Sequence, residues 1–218
     1  MAIIKNSIVL QNATGTLGEF FVKNFRGQKI LARKPFQRKK SHSKAAVNGR
    51  NNFAATVLIS KTINKQPVLK EVWKFANVEA SSPYQKMMAY NAKRVDNGIL
   101  TTSNVITPGG IPITLNSASI QDNFLNLDFT LPANDYIIFP AHLYVFLYFN
   151  EYNSSMFVLN YKMFEPSPVE NYTINFGLDD NIMKALKKDA RPVIYIAAIG
   201  SVSNKNVEYC SETAAVQL

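Results

Sequence analysis

The sequence predicts an α+β protein in which an N-terminal β-hairpin and several short helices precede a C-terminal antiparallel β-sandwich. Three strand-like runs and three helical patterns fall within residues 1–97, whereas short strand-like runs bounded by Pro, Gly and Asn fill residues 98–218. The balance of charge also changes from strongly basic to mildly acidic between these regions. We therefore predict two domains, a basic hairpin-and-helix region over residues 1–97 and a sandwich over residues 98–218.

The N-terminal segment is predicted to form a short strand, a turn and a hairpin. The β-branched and apolar run 2–10 is typical of a strand, and the Asn- and Gly-containing stretch 12–18 is typical of a turn. Residues 19–25 and 29–33 are both strand-like. They flank Gly27, which can adopt the positive φ that a tight turn needs.

A basic connector over residues 34–44 is predicted to lead into a helix over residues 45–64. Pro35 and the density of positive charge disfavour regular structure in the connector until Ser41 or Ser43 caps the helix. Apolar residues then recur at steps of about four, which predicts a helix with one buried stripe. The predicted stripe consists of Phe53, Ala55, Val57, Ile59 and Ile63.

Two shorter helices are predicted before residue 97. Pro67 ends the preceding helix or begins a second one, whose apolar face would hold Val68, Leu69, Val72, Trp73 and Ala76. Ser82, Pro83 and Gln85 occupy the N-cap, first-turn and capping-box positions of a third helix. One side of that helix is predicted to carry Tyr84, Met87, Met88, Ala92 and Val95. The turn-forming Asp96-Asn97-Gly98 ends it and marks the predicted domain boundary.

Beyond residue 98 the sequence predicts about seven short strands and one helix. The clearest strand is 125–131, where strict alternation of apolar and polar residues makes one face apolar. The other predicted strands are 136–139, 142–149, 155–162, 172–176, 193–199 and 207–210. Their number and spacing favour a two-sheet antiparallel sandwich. Asp179 and Asp180 precede a short helical pattern that ends near Leu186.

The charge of the chain is unevenly distributed. Residues 1–100 contain 18 Lys and Arg against 4 Asp and Glu, whereas residues 101–218 contain 6 against 11, and the whole chain carries +9. Between Glu19 and Glu71 there are 13 basic residues and no acidic one. Such a segment repels itself unless it meets an anion. The anion would be nucleic acid, an anionic surface or the acidic region of a neighbouring copy.

Three motifs occur in the basic region: Gly15-x-x-Gly18, Arg26-Gly27-Gln28-Lys29-x-Leu31-x-Arg33-Lys34-Pro35 and Arg50-Asn51-Asn52-Phe53. Together they resemble a family of uncharacterised bacterial and phage proteins. The resemblance implies a basic N-terminal segment with helices joined to a C-terminal immunoglobulin-like sandwich, and it implies no particular activity. Where members of that family often show an Asn-Pro-x-Thr helix start, this sequence has Ser41-His42-Ser43-Lys44.

The reactive side chains do not follow a known catalytic or metal-binding pattern. The single cysteine, Cys210, excludes an internal disulfide and a thiolate zinc site, and His142 lies within an apolar strand-like run. No Gly-x-Ser-x-Gly motif occurs, and Gly15-Thr16-Leu17-Gly18 lacks the Lys-Ser/Thr ending of a phosphate loop. Asp179 and Asp180 fit helix capping better than calcium binding. We therefore predict a protein that is not an enzyme and that uses no cofactor or metal.

The sequence also predicts where the chain resides. The apolar run 7–10 is too short for the hydrophobic region of a signal peptide. The longest apolar stretch, residues 136–149, is shorter than a membrane span and is interrupted by Pro140 and His142. We therefore predict synthesis in the cytoplasm, without a membrane span, and final residence there or in a virion or released assembly.

The basic residues around the hairpin and connector are the predicted partner-binding site. They are Lys23, Arg26, Lys29, Arg33, Lys34, Arg38, Lys39, Lys40, Lys44 and Arg50. The leading functional prediction is a non-enzymatic structural subunit of a virion, sheath or filament. Its basic N-terminal arm would dock on an acidic surface of a neighbouring copy, because a head-to-tail contact of that kind propagates into rings or filaments.

Two other functions are consistent with the sequence. The basic segment 23–50 is interleaved with phenylalanines, so it could bind nucleic acid without sequence specificity by contacting phosphates and stacking on bases. Alternatively, an aromatic face of the sandwich at Tyr144, Tyr148 and Tyr152 could bind a glycan or a small molecule.

Overall fold

The computed structural model describes residues 2–3, 15–25, 27–34, 41–132, 141–151, 154–163, 170–203 and 206–218. Within them the chain is a mixed α+β protein with four helices and mostly antiparallel sheets. It divides into two compact units, Met1–His42 and Ser43–Leu218. The boundary predicted after residue 97 does not coincide with this division.

The first unit contains a four-stranded antiparallel sheet. Its strands are β1 (Ala2–Ile3), β2 (Gly15–Leu17), β3 (Phe20–Phe25) and β4 (Gln28–Arg33), in the order β1-β4-β3-β2. The predicted hairpin is confirmed as β3 and β4, with Gly27 at φ +75° in the turn. Strand β2 lies where a turn was predicted, and it pairs with β3.

Three helices open the second unit, and their first turns are set by local sequence. They are α1 (Lys44–Asn64), α2 (Pro67–Phe75) and α3 (Pro83–Ala92). The Ser43 hydroxyl accepts a hydrogen bond from the Ala46 N–H, and the Ser82 hydroxyl accepts one from the Gln85 N–H. The predicted serine caps are therefore confirmed.

The remaining elements of the second unit are mostly strands. They are β5 (Val95–Asp96), β6 (Ile99–Leu100), β7 (Thr114–Gln121), β8 (Phe124–Thr130), β9 (Ala141–Phe149), β10 (Ser155–Met163), β11 (Asn171–Gly177), α4 (Asp180–Leu186), β12 (Val193–Ser203), β13 (Asn206–Cys210) and β14 (Ala214–Gln217). Asp179 caps α4 through the N–H groups of Asn181 and Ile182, as predicted. The predicted strand 136–139 lies outside the described residues.

The strands of the second unit form two larger sheets and one short hairpin. The five-stranded sheet has the order β10-β9-β12, and β13 and β14 both pair with the far side of β12. The three-stranded sheet has the order β11-β8-β7. Strands β5 and β6 pair only with each other among the described residues. Strands β5, β6, β7 and β14 had not been predicted from the sequence.

The five-stranded sheet is buried on both faces. Tyr144, Phe146 and Tyr148 pack with α1, α2 and α3, whereas Leu143, Val145 and Leu147 pack against the three-stranded sheet. The second unit therefore has three layers, with the helices on one side of the central sheet and the smaller sheet on the other. Because the helices share a core with the central sheet, the second unit begins at α1 and not at residue 98.

Helix α1 buries three of the five residues of the predicted stripe, Ala55, Ile59 and Ile63. Its buried residues are Ala55, Thr56, Ile59, Ser60 and Ile63. Phe53 is 63% exposed, and Val57 is only partly buried. At about 100° per residue these two positions lie well away from the face that holds Ile59 and Ile63. Assigning Phe53 and Val57 to the buried stripe was therefore wrong.

A buried polar network fastens the connector between β6 and β7 to the rest of the second unit. The Asn91 amide donates to the Val105 carbonyl at 3.0 Å and accepts from the Val105 N–H at 2.9 Å. Asn104 donates to the Asn91 side-chain oxygen at 3.2 Å. The Thr213 hydroxyl accepts from the N–H groups of Ile106 and Thr107 at 2.9 and 3.0 Å. Paired in this way, these amides and hydroxyls can be buried without an unsatisfied donor.

Candidate functional site

The small sheet of the first unit places its predicted basic residues on both of its faces. Residues that are directly opposite in an antiparallel pair point to the same face, and successive residues alternate. Lys29 and Arg33 both lie on β4 in the same phase, so they share one face. Lys23 lies opposite Ile30 and therefore points to the other face, where its ammonium is 5.8 Å from the centre of the Phe21 ring.

Arg33 forms an ion pair with Glu19 within the first unit. An Arg33 guanidinium nitrogen lies 2.8 Å from a Glu19 carboxylate oxygen, and both side chains are more than half exposed. The Lys34 N–H also donates to the Glu19 carbonyl at 2.6 Å. Exposed pairs of this kind contribute about 0–1 kcal/mol. Glu19 is the sole acidic residue of residues 1–42, so this pair offsets little of the unit's charge.

Six other predicted binding residues lie outside the described residues or in the second unit. Arg26, Arg38, Lys39 and Lys40 lie outside the described residues. Lys44 and Arg50 are exposed on α1, which belongs to the second unit. Of the ten predicted residues, four therefore lie in the described part of the first unit and two lie in the second unit.

The charge follows the two structural units more closely than it follows the halves of the sequence. Residues 1–42 contain nine Lys and Arg against one acidic residue. Residues 43–218 contain fifteen against fourteen and are therefore close to neutral. The excess charge of the whole protein resides almost entirely in the first unit. Sequence reasoning missed this because it assigned the helices, with their own lysines, to the basic region.

Two cations of the helical layer have structural roles that the sequence analysis did not identify. The Lys86 ammonium donates to the carbonyls of Lys74 and Ala76 at 2.9 and 2.6 Å, at the C-terminal end of α2. A cation is favourable there because the last carbonyls of a helix lack intrahelical partners. The Arg94 guanidinium lies 4.0 Å from the centre of the Tyr90 ring. The spacing of four residues between Tyr90 and Arg94 is the signal in the sequence for that contact.

An open groove of about 690 Å³ runs beside α1 in the second unit. Val57, Leu58 and Lys61 line one side of it, and the Asn97-Gly98 turn and Asn150 line the other. The Gly98 N–H donates to the Asn52 side-chain oxygen, so the turn is fixed against the helix. The lining combines apolar and amide groups with a single cation, and it contains no pair of titratable groups suited to acid–base catalysis.

The cysteine and the described histidine of the second unit are not arranged for nucleophilic catalysis. His142 and Cys210 both pair with Ile199, from opposite sides of β12. Two strand spacings separate them by roughly 10 Å, which is beyond hydrogen-bond reach. The Cys210 thiol donates to the Gly109 carbonyl at 3.0 Å, and burial raises the pKa of this thiol, which disfavours the reactive thiolate. The described residues also contain no cluster of three or more metal-ligating side chains.

The aromatic face considered for glycan binding is inside the protein. Tyr144 and Tyr148 are 2% and 1% exposed, and both belong to the core between the central sheet and the helices. Burial raises the pKa of both phenols above the ordinary value. The prediction of a binding surface at these residues was wrong, because it treated the helices as a separate domain. Tyr152 lies outside the described residues.

Comparison with known proteins does not assign the chain to a family. No family model matches it, and no curated protein matches it. The resemblance in the basic motifs therefore stays a prediction. Among the helices that the structure describes, none combines the length and apolarity needed to cross a bilayer.

Proposed function

We propose that this protein is a non-enzymatic structural subunit of a larger assembly, such as a virion, sheath or filament, and that its first unit docks on an acidic surface of a neighbouring copy. The observation that carries the proposal is the separation of charge between the two units. Nine cations and one carboxylate occupy residues 1–42, and Glu19 is already paired with Arg33. Anions that neutralise this unit must therefore come mostly from outside it.

A candidate acidic surface lies at one end of the three-stranded sheet. Asp122 is exposed in the turn between β7 and β8, and Asp180 is exposed in the first turn of α4. The Leu178 N–H donates to the Asn123 carbonyl at 2.9 Å, which holds this turn beside the start of the helix. Docking a basic unit of one copy on this surface of the next would be a heterologous contact, and such contacts form rings or filaments.

We further infer that the two packed sheets of the second unit form an immunoglobulin-like sandwich. The antiparallel pairing of β7, β8 and β11 and the apolar core that this sheet shares with β9 and β12 support the inference. Sandwich domains of this kind commonly occur as modules in surface and assembly proteins.

Association of the full chain is expected to weaken with salt and with reversal of charge in the first unit. Replacing Arg38, Lys39 and Lys40 by Glu should raise the dissociation constant at least about tenfold at about 0.05 M salt, because docking through charge is screened weakly there. Raising the salt concentration to about 0.5 M should likewise weaken association of the unmodified protein. Sedimentation velocity over a range of protein concentrations measures both effects.

The matched control replaces Lys65, Lys70 and Lys93 by Glu. These lysines are exposed in the second unit, so the net charge of the chain changes by the same amount. Equal weakening by both triple variants would show that only net charge matters, and it would contradict docking through the first unit. A protein that stays monomeric at all salt concentrations would also contradict the proposal.

A second function is favoured by one face of the small sheet. Phe20 is 43% exposed, lies opposite Arg33 and shares its face with Lys29. An exposed ring beside a cation is an arrangement on which the bases of single-stranded nucleic acid stack. Salt-sensitive binding of a fluorescent single-stranded oligonucleotide by the unmodified protein, lost on reversal of residues 38–40, would favour this function over assembly.

A further inference from the structure

Strand β11 presents one row of backbone groups away from its sheet. It pairs with β8 in a register without irregularities. The Leu131 N–H donates to the Glu170 carbonyl at 3.1 Å, and the Leu178 N–H donates to the Asn123 carbonyl at 2.9 Å, so both of these pairs are hydrogen-bonded. Hydrogen-bonded pairs alternate along an antiparallel ladder. The backbone N–H and C=O groups of Tyr172, Ile174 and Phe176 therefore hydrogen-bond to β8.

The intervening residues of β11 face outward. The N–H and C=O groups of Asn171, Thr173, Asn175 and Gly177 point away from β8, because these residues occupy the other phase of the ladder. All four residues are exposed. Within the described parts of the chain, no strand pairs with this edge.

The other described edge strands of the two large sheets carry features that discourage pairing with another chain. Strand β7 has an irregularity between Leu115 and Ser117 and contacts β14, which is itself only four residues long. Strand β13 is interrupted by register shifts, and β10 contains Lys162. Strand β11 contains no charge, proline or bulge over its seven residues. An edge of that kind is the usual template for adding a strand.

The absence of charge on β11 indicates what kind of strand it can accept. The whole chain carries +9, which opposes contact between two copies. The three strands of the smaller sheet contain a single charged residue, Asp128, and no Lys or Arg. Two copies that meet along β11 therefore bring no like charges opposite each other.

We propose that β11 pairs antiparallel with β11 of a second copy and joins two three-stranded sheets into one six-stranded sheet. The inference rests on the proposed assembly function and deepens it, because it identifies a second contact that is independent of the basic unit. The backbone phase and full overlap of the two seven-residue strands together predict the register. Thr173 would form a hydrogen-bonded pair with the partner's Asn175, and Ile174 would lie opposite the partner's Ile174 on the core face.

Substitutions on β11 test this pairing in the full chain. Thr173→Pro removes an outward N–H and leaves the hydrogen bonds to β8 in place, because proline is tolerated at such edge positions. Asn175→Lys places like charges on the two paired strands. Each variant should raise the dissociation constant for dimerisation at least about tenfold in sedimentation velocity, with little change in melting temperature. The matched control is Thr114→Lys, on the exposed face of the opposite edge strand, which should leave dimerisation unchanged.

A disulfide between two single variants tests the register directly. Oxidation of a mixture of Thr173→Cys and Asn175→Cys should link one variant to the other, because hydrogen-bonded antiparallel pairs place their Cα atoms about 5.5 Å apart, whereas either variant alone should not form the link. Dimerisation that is unchanged in Thr173→Pro and Asn175→Lys, or a mixture that yields no linked dimer, would overturn the pairing. If those results occur while reversal of residues 38–40 still disrupts association, the pairing fails and the proposed function stands. If only the β11 variants weaken association and reversal of residues 38–40 does not, the pairing stands and docking through the first unit fails.

Discussion

A fragment of residues 98–218 is expected not to fold, whereas a fragment of residues 43–218 is expected to fold with a cooperative transition. The shorter fragment lacks α1, α2 and α3, and these helices cover one face of the central sheet. Loss of these helices exposes large side chains that are buried in the full chain, among them Tyr144, Phe146, Tyr148, Tyr195 and Ile199. Each such side chain contributes about 1.5–3 kcal/mol by burial, so the loss is about 10 kcal/mol. That is comparable to the whole stability of a typical domain.

Thermal unfolding followed by circular dichroism, together with binding of a hydrophobic dye, distinguishes the two fragments. The longer fragment serves as the control, since it keeps both cores and lacks only the first unit. A shorter fragment that unfolds cooperatively and binds no dye would contradict the three-layer arrangement. It would instead support the domain boundary that the sequence predicted after residue 97.

Replacement of Trp73 by Ala is expected to lower the free energy of unfolding by about 5 kcal/mol, more than any other single truncation in the helical layer. The side chain is fully buried on α2 and packs edge-on against Tyr90, with 5.6 Å between ring centres. Its indole N–H donates to the Ile106 carbonyl at 2.9 Å. Truncation of a buried Trp costs about 3–5 kcal/mol, and the unpaired carbonyl adds about 1 kcal/mol or more.

The control for Trp73 lies two residues away on the same helix. Phe75 is 75% exposed, so Phe75→Ala should change the free energy of unfolding by less than about 0.5 kcal/mol. Chemical denaturation of the full chain, followed by circular dichroism, measures both variants. Comparable losses in the two variants would mean that α2 does not present Trp73 to the core.

The local elements could be predicted because adjacent residues determine them. Ser43, Ser82 and Asp179 each satisfy N–H groups within the first turn of their own helix, and that information is contained in a few residues. Gly27 likewise sets the turn between β3 and β4. These predictions do not depend on what packs against the element.

The arrangement of the layers could not be predicted in the same way. Runs such as 143–149 are apolar at every position because the central sheet is covered on both faces, but the same run fits a sandwich strand equally well. The error at Tyr144 and Tyr148 followed from that ambiguity. Strand β14 was missed because the short run Ala214–Gln217 is a strand only through its pairing with β12.

The sequence could predict which segment carries the basic residues of the candidate site, but it could not predict how their side chains are arranged on a surface. Counting charges identified the basic segment, because charge does not depend on the fold. The placement of Lys23 and Lys29 on opposite faces depends on the register of β3 and β4. Likewise, the near-neutral balance of residues 43–218 became visible only when the helices were joined to the sandwich.

The most direct test of the account mixes two oppositely altered chains. One carries the reversal of residues 38–40 to Glu, and the other carries Asp122→Lys and Asp180→Lys, which reverse the candidate acidic surface. We expect each altered chain to associate weakly alone at low salt and the two to bind each other, because the exchanged charges are again complementary. Sedimentation of the mixture decides the question. With Thr173→Pro in both chains to remove pairing through β11, formation of a mixed complex supports charge-driven docking between copies, and a mixture that sediments as two separate monomers contradicts it.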